Sequence, residues 1–153
     1  CKKKKIKNLR LISSKVEEND DFFNKKFDLI ISINTLYYFD KYDLQKRLKS
    51  FENMLKPNGH VFFTMVSVKS KYFTKCSNRI IDKNSLTRVN YLKDINFKDK
   101  KNYYQYINFV KNKKDLVSKF KIFKTLNVGF YDQSLHDIND SNHHYTFFGK
   151  KGN

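Results

Sequence analysis

Residues 27–66, which read FDLIISINTLYYFDKYDLQKRLKSFENMLKPNGHVFFTMV, decide the fold of this chain. The stretch begins with an unbroken, mostly β-branched apolar run, Leu29–Ile33, which is typical of a strand buried on both faces of a parallel sheet. A second apolar run, residues 60–66, predicts another buried strand. Between them, apolar residues at helical spacing predict an amphipathic helix with Leu44, Leu48, Phe51 and Leu55 on its inner face. Strand, helix and strand together predict one βαβ unit with a right-handed crossover.

Local signals predict where this helix begins and ends. Asp43 lies where an N-cap residue is expected, because its carboxylate can accept hydrogen bonds from the first backbone N–H groups. Pro57 is expected to stop the helix, because proline disfavours the α region at the preceding residue, Lys56. Asn58 and Gly59 are then expected to form the turn into the second strand.

The order and spacing of these segments resemble the middle of class I S-adenosylmethionine-dependent methyltransferases. That family typically reads FD(L/V)(I/V)-S, then L-H-H, and then a helix that ends in LKPGG before the fifth strand. This chain reads FDLIIS, LYYF and LKPNG at residues 27–32, 36–39 and 55–59. The resemblance implies an α/β fold with a Rossmann-like methyltransferase sheet that is mostly parallel. A βαβ unit of another α/β protein is the alternative.

A second match to the same family lies near the C terminus. Residues 121–128 alternate with the period of a strand, residues 129–131 continue it, and residues 144–151 (HYTFFGKK) end the pattern as another strand. The two resemble the sixth and seventh strands of the family, which form an antiparallel C-terminal strand pair. Between the two matches, Tyr106–Val110 and Leu116–Phe120 predict a helix in one or two pieces.

Features of the N-terminal part of the family are missing from this sequence. The first strand of the family carries a Gly-rich turn that lets the backbone approach the cofactor, whereas the four glycines here are isolated. The acidic residue that ends the second strand is missing as well, and residues 9–13 resemble the third strand. We therefore expect residues 1–153 to be a single domain with a truncated sheet, the C-terminal two-thirds of a methyltransferase domain. In the family order 3-2-1-4-5-7-6, strand 29–33 would then be an unpaired edge.

The resemblance implies S-adenosylmethionine as the cofactor and places its site beyond the carboxyl ends of the strands. Ile33, Asn34 and Thr35 follow the first strand of the quoted stretch, where the family lines the methionine part of the cofactor. The Asp-Ala pair that contacts the adenine ring in the family aligns with Lys15 and Val16. An adenine contact would therefore come from backbone groups or from Val16.

Tyr37, Tyr38 and Ser67 are the predicted contacts of the methyl acceptor. The two tyrosines replace the histidines of the L-H-H pattern, and packing of their rings in the core is the alternative. With an ordinary pKa of about 10, a tyrosine orients an acceptor more readily than it deprotonates one. Residues 67–102 are polar and rich in lysine, which favours an insertion or acceptor-binding loop; a mobile loop without such a role is the alternative.

A catalytic base is needed if the acceptor is a hydroxyl, but the sequence does not select one. The candidates are the four histidines, His60, His136, His143 and His144. His60 lies at the start of a strand, away from the expected site. Because His143 and His144 are neighbours in a strand, they must point to opposite faces and make a poor metal pair. No metal site is predicted, since Cys1 and Cys76 are distant from them.

The amino-acid composition limits which binding partners and which cellular compartment are expected. A formal charge of +17 accompanies an excess of Lys, Asn, Ile, Phe and Tyr, and this joint skew indicates an A/T-rich coding sequence. The lysines are spread along the chain, so a solvated surface is favoured over a nucleic-acid-binding stripe. No apolar run approaches the length of a membrane span, so no membrane partner is expected. Two cysteines cannot form a disulfide framework, which favours a reducing, cytoplasmic location.

Three functions from different classes follow. The favoured one is S-adenosylmethionine-dependent methyl transfer to a small-molecule or saccharide acceptor, with an N-terminal half or partner chain supplying the missing part. The isolated chain is then expected to bind the cofactor weakly or not at all. The second is a basic RNA-binding module or a nucleic-acid methyltransferase, which requires the positive charge to collect on one face. The third is a non-catalytic subunit that completes or regulates another chain.

Overall fold

The computed structural model describes residues 26–74, 80–81, 84–90, 104–134 and 142–152. In chain order they form β1 (Phe27–Ser32), a 3-10 turn (Leu36–Tyr38), α1 (Lys41–Met54), β2 (Leu55–Val66), α2 (Lys71–Thr74), β3 (Ile80–Ile81), β4 (Thr87–Asn90), β5 (Tyr104–Ile107), α3 (Lys113–Lys119), β6 (Phe123–Gln133) and β7 (Asn142–Lys151). The strand predicted at residues 9–13 lies outside the described residues.

Four of the described strands form one sheet in the order β1-β2-β7-β6. β1 and β2 are parallel, whereas β7 is antiparallel to both β2 and β6. The predicted α/β fold class is therefore confirmed, and the order is that of the last four strands of the resembling family. The carboxyl ends of β1, β2 and β6 and the amino end of β7 lie at one edge of this sheet, called the carboxyl edge below.

The core is centred on Phe63, a fully buried residue of β2. Its ring centroid lies 5.7 Å from that of Phe51 on α1, 5.3 Å from Phe120 after α3 and 6.5 Å from Phe147 on β7. Burying one such side chain contributes roughly 1.5–3 kcal/mol. This aromatic cluster holds α1 and α3 against one face of the sheet.

α1 begins one turn earlier than the sequence predicts. Its N-cap is Asp40, whose Oδ1 accepts hydrogen bonds of 2.8 Å from the backbone N–H groups of both Tyr42 and Asp43. The prediction of Asp43 as the N-cap is wrong. Asp43 instead lies in the first turn, where its charge interacts favourably with the helix dipole.

α1 ends at Met54, before the proline can act on it. Leu55 is already extended, with φ −81° and ψ 140°. Leu55 is nevertheless buried, as the helical pattern required, because it faces the core as the first residue of β2.

The predicted turn at Asn58 and Gly59 lies inside the range of β2, as an irregularity in its pairing with β1. Phe27 pairs with Leu55 whereas Leu29 pairs with His60, so residues 56–59 bulge out of the ladder. Asn58 has a φ of 63°, a left-handed conformation that asparagine tolerates better than most residues.

β1 is not buried on both faces, and that prediction is wrong. Ile30 packs against the core, but Leu29, Ile31 and Ile33 on the other face are 47%, 57% and 53% exposed. Among the described strands β1 pairs only with β2. These three residues, the exposed β1 face, form an apolar surface at that edge of the sheet.

A second, three-stranded antiparallel sheet has the order β3-β4-β5. The helix predicted for Tyr106–Val110 is wrong, because β5 pairs with β4 and Val110 then forms a parallel bridge with Ser67. The helix predicted at Leu116–Phe120 is confirmed as α3. The acceptor-binding role of residues 67–102 stays a prediction. No described helix is long and apolar enough to cross a membrane.

Candidate functional site

Asn34 lies just beyond β1, at the carboxyl edge, in a left-handed conformation with φ 54°. Thr64 of β2 holds it there. The N–H of Asn34 donates to Oγ1 of Thr64 at 2.9 Å, and the Thr64 hydroxyl donates back to Oδ1 of Asn34 at 3.3 Å. These reciprocal bonds fix both the backbone and the amide of this predicted cofactor contact.

Tyr131 of β6 completes the surroundings of Asn34 and was missed by sequence reasoning. Its hydroxyl donates to Oδ1 of Asn34 at 3.0 Å. Since Oδ1 receives two hydrogen bonds, the amide orientation is set, and Nδ2 of Asn34 donates to no other residue in the described ranges. The Asn34 amide is therefore a fixed donor at the carboxyl edge.

Ile33 and Thr35 flank Asn34, as the sequence requires. The Thr35 hydroxyl donates to the carbonyl oxygen of Ile33 at 2.9 Å, which closes a short turn around Asn34. Ile33 is 53% exposed. Lys15 and Val16, the predicted adenine contacts, lie outside the described residues.

The two tyrosines predicted to contact the acceptor have different environments. Tyr37 is buried in the core cluster, and its carbonyl oxygen accepts a hydrogen bond of 2.7 Å from the backbone N–H of Asn108. Tyr38 is 47% exposed, with its ring centroid 4.5 Å from that of Tyr37. Tyr38 therefore has a ring surface open to a ligand, whereas Tyr37 follows the core-packing alternative.

Lys119 of α3 is connected through Asn108 to the residue that follows the 3-10 turn containing Tyr37. Its Nζ donates to Oδ1 of Asn108 at 2.8 Å, and the Asn108 amide donates to the carbonyl oxygen of Phe39 at 3.2 Å. Burial lowers the pKa of Lys119, while the carboxylate of Asp115, 4.0 Å away, opposes that shift. This polar network fixes the turn that carries Tyr37.

Ser67, the third predicted acceptor contact, is fully buried. Its Oγ lies 2.7 Å from Nδ1 of His143 and accepts a hydrogen bond of 3.0 Å from the backbone N–H of Lys69. The neighbouring Ser70 hydroxyl donates to Oδ1 of Asn142 at 3.1 Å. Ser67 thus ties the end of β2 to the start of β7, and its contact with an acceptor stays a prediction.

His144, on β7, packs against Tyr131, the residue that bonds Asn34. Its ring stacks on that of Tyr131, with centroids 4.9 Å apart and an angle of 6° between the planes, and lies 6.2 Å from the ring of Tyr37. His143 instead stacks on Phe130, at 5.3 Å. The expectation that the two histidines point to opposite faces is confirmed.

Burial lowers the pKa of both histidines below the ordinary value of about 6.5. At His144 the hydrogen bond to the carbonyl oxygen of Asn142 and the charge of Asp132 oppose this effect. At His143 the charge of Asp132 opposes it and that of Lys69 adds to it. Both imidazoles are therefore neutral at pH 7. Across the described ranges, no three His, Cys, Asp or Glu side chains are placed to hold a metal ion.

Comparison with known families decides the class of the protein. Residues 4–115 match the family model described as "Methyltransferase domain". The chain belongs to this methyltransferase family. The resemblance read from residues 27–66 and the predicted enzyme class are thereby confirmed at the level of the family. No curated protein matches the chain significantly.

Solved methyltransferase structures share the fold. An S-adenosylmethionine-dependent methyltransferase from Clostridium acetobutylicum ATCC 824 has a TM-score of 0.55 and 20% identity, covering 85% of this chain and 60% of that one. The PH0226 protein from Pyrococcus horikoshii OT3 has a TM-score of 0.59 and 16% identity, with 95% and 60% covered. A SAM-dependent methyltransferase from Methanosarcina mazei has a TM-score of 0.56 and 12% identity, with 85% and 61% covered.

This chain spans about three fifths of the length of these matched structures. Two of them are named as dependent on S-adenosylmethionine, and the predicted cofactor is confirmed for the methyltransferase family.

The carboxyl edge fits one end of this cofactor. The fixed Nδ2 donor of Asn34 suits the carboxylate of its methionine part, and Ile33 offers apolar surface beside that donor. The described residues therefore offer one fixed donor that suits the methionine end.

Proposed function

We propose that this chain forms the acceptor side of an enzyme that transfers a methyl group to a small-molecule or saccharide acceptor. S-Adenosylmethionine supplies the electrophilic methyl group when bound. The observation that carries the proposal is the left-handed Asn34, held by Thr64 and Tyr131 at the carboxyl edge of a sheet with the strand order of the family. In open α/β sheets that edge is where ligands bind.

The residues have separate roles in this proposal. Ile33, Asn34 and Thr35 hold the methionine part of the cofactor, while Tyr38 lines the acceptor site; a contact of the buried Ser67 with the acceptor stays a prediction. Methyl transfer asks the protein mainly to hold an acceptor in line with the methyl group, so positioning carries most of the catalysis. The hydrogen bonds from Lys119 to Asn108 and from Asn108 to Phe39 hold the 3-10 turn in place and so contribute to that positioning.

We further propose that the exposed β1 face is covered by an N-terminal half, either upstream in the same polypeptide or in a partner chain. Three apolar side chains are about half exposed there, and β1 pairs on one side only among the described strands. A long apolar edge is a hazard unless another element covers it. The span of three fifths of the matched structures supports a missing part of that kind. Without it, we expect weak cofactor binding.

The experiment is a transfer assay with methyl-labelled S-adenosylmethionine and a panel of phenols, alcohols and saccharides. The chain is tested alone and together with a Gly-rich N-terminal methyltransferase half. We expect transfer at least tenfold faster in the paired form, and Asn34→Gly should abolish most of it, since glycine keeps the left-handed backbone but removes the amide.

Asn58→Gly is the matched control. Asn58 is also left-handed, with φ 63°, but it lies at the opposite edge of the sheet, where it accepts a hydrogen bond from Lys150. Its replacement should leave transfer unchanged. Absence of transfer from the paired form to any acceptor, or equal effects of the two substitutions, would contradict the proposal.

RNA binding is a second candidate because of one surface of the smaller sheet. The guanidinium of Arg88 lies 4.1 Å from the ring centroid of Tyr104, and Tyr104 and Tyr106 are each 41% exposed on the same face of β5. Aromatic rings beside cations suit stacked bases. Affinity for a single-stranded RNA that falls steeply with salt, and is lost in Tyr104→Ala, would favour this candidate. For either function we propose the cytoplasm as the location.

A further inference from the structure

We propose that His144 is the general base of this site and that it takes a proton from a hydroxyl acceptor with the acidity of a phenol. The proposal rests on the proposed methyl transfer and names the acceptor class and the residue that prepares it.

The hydrogen bond made by Nδ1 sets the tautomer of His144. Nδ1 lies 2.8 Å from the carbonyl oxygen of Asn142. A carbonyl oxygen can only accept, so Nδ1 carries the proton. In the neutral ring Nε2 is therefore a bare lone pair, the form that a general base requires.

That lone pair is available to a ligand. Nε2 of His144 has no hydrogen-bond partner among the described residues. In the same part of the chain, no fully buried side-chain nitrogen or oxygen is left without a partner. Nε2 is therefore in contact with accessible space, although only 3% of the residue is exposed.

The ring also lies beside the proposed cofactor contact. It stacks on Tyr131, whose hydroxyl donates to Oδ1 of Asn34. One side chain thus separates the base from the residue that holds the methionine part of the cofactor. Stacking and the Asn142 bond together fix the plane and the rotation of the imidazole.

The groups around His144 favour the neutral state at rest. The rings of Tyr37 on the 3-10 turn and Tyr131 on β6 pack against it, while His143 and Asp132, the neighbouring residues on β7 and β6, act on it through their charges. Burial is the largest effect, and His143 adds to it, so the pKa lies below its ordinary value. Asp132 opposes the shift and would stabilise the imidazolium once a proton arrives.

A base of this strength selects the acceptor. Proton transfer is most efficient when the two pKa values are close. A phenol, with a pKa of about 10 like that of tyrosine, matches a weak imidazole better than an alcohol, whose pKa lies far higher. In the step itself the O–H bond of the acceptor breaks, its electron pair stays on oxygen, and the proton bonds to the lone pair of Nε2. The oxygen is then ready to bond to the methyl group.

The other described histidines lack this arrangement. Nδ1 of His143 lies 2.7 Å from the Ser67 hydroxyl, on the opposite face of β7. His60 stacks on Phe148, with centroids 5.4 Å apart and an angle of 8°, but it lies in the first half of β2, away from the carboxyl edge. His60 therefore reproduces the stacking of His144 away from the site and serves as its control.

The first test needs no methyl transfer. The chain, labelled with ¹⁵N at histidine, is titrated with 4-nitrophenol and followed by NMR. We expect His144 to show a protonated Nδ1 and a bare Nε2, and the Nε2 signal to shift on titration while those of His60 stay in place. A protonated Nε2 in the free chain, or an Nε2 signal that ignores the phenol, would overturn the proposal.

The second test uses the paired form with the methyl donor. His144→Asn keeps a donor for the Asn142 carbonyl but removes the base, and transfer to phenols should fall by about 10²–10⁴-fold, the usual contribution of a general base. His60→Asn should change it less than twofold. Equal rates in His144→Asn and the unaltered protein would overturn the proposal while leaving methyl transfer intact. If the unaltered protein transfers no methyl group, the proposed function fails and the NMR titration alone decides the role of His144.

Discussion

The hydroxyl of Tyr131 lies 3.0 Å from Oδ1 of Asn34, which joins the end of β6 to the loop after β1 across 97 positions of the chain. Thr64, on the strand next to β1, bonds the same amide oxygen. Residues from two strands, β2 and β6, therefore converge on the asparagine that follows a third, β1, at the carboxyl edge. This convergence makes Asn34 a fixed point of the site rather than part of a free loop.

Tyr131→Phe should destabilise the chain by about 0.5–1.5 kcal/mol, the net contribution of one hydrogen bond. The ring, and with it the stacking on His144, is retained. The loss is measured as a lower free energy of unfolding in urea. Tyr42→Phe is the control, because Tyr42 is 72% exposed, and it should change stability by less than 0.5 kcal/mol, as is usual for surface substitutions. Equal losses in the two variants would show that the hydroxyl of Tyr131 is not bonded as described.

Asp40→Ala should cost about 0.5–2 kcal/mol, because it removes the acceptor of two backbone N–H groups at the start of α1. Asp43→Ala should cost less, since it loses only a dipole interaction of about 0.3–1 kcal/mol and gains helix propensity. Urea denaturation of both variants measures the difference. A larger loss in Asp43→Ala would restore the sequence-based assignment of the cap.

Ile31→Lys should reduce self-association of the isolated chain without unfolding it. Ile31 is 57% exposed at the centre of the exposed β1 face, and a charge there opposes edge-to-edge pairing. Light scattering across a range of protein concentrations gives the measurement. Ile30→Lys is the matched change on the other face of β1, where the side chain packs on the core, and it should unfold the chain. A folded Ile30→Lys variant, or unchanged association in Ile31→Lys, would place the apolar face elsewhere.

Stability should fall as the pH drops below about 6.5, the ordinary histidine pKa. The pKa values of His143 and His144 are lowered in the folded chain. As the pH falls, the unfolded chain therefore binds protons before the folded chain does, and this binding stabilises the unfolded state. Above that pH both states are neutral and the contribution is constant. Urea midpoints at pH 7.5 and pH 5.5 measure the loss, and a variant with His143→Asn and His144→Asn should lose less between the two. An identical loss in that variant would assign the effect to other groups.

Much of the main sheet can be predicted from the sequence, because its elements carry local patterns. The strand predicted from residues 121–131 and the helix predicted from the spacing of Leu44 and Leu48 are both present, as β6 and α1, although a register shift between Thr125 and Asn127 breaks the alternation of β6. The apolar run alone does not predict the exposure of Ile31, since it does not say whether another layer covers that face of the sheet, although the strand order of the family predicts an unpaired edge there. The helix predicted at Tyr106–Val110 does not form, because the pairing of Tyr106 and Ile107 with β4 is a tertiary effect that overrides the local pattern.

Some residues of the candidate site could likewise be predicted from the sequence and others could not. Asn34 follows a recognisable strand and could be predicted, since its place at the carboxyl edge depends only on β1 and β2 being parallel. Tyr131 could not, and His144 could not be singled out from the four candidate histidines, because both reach the site through the register of the antiparallel pair, Tyr131 opposite His144.

The central claim, that the carboxyl edge binds the methyl donor, is tested most directly by titrating the ¹⁵N-labelled chain with millimolar S-adenosylmethionine and following its backbone amides by NMR. We predict shifts at Ile33, Asn34, Thr35 and Thr64, and their loss in Asn34→Gly. Shifts confined to the opposite edge, at Asn58 and Gly59, or an Asn34→Gly variant that titrates like the unaltered chain, would contradict the account.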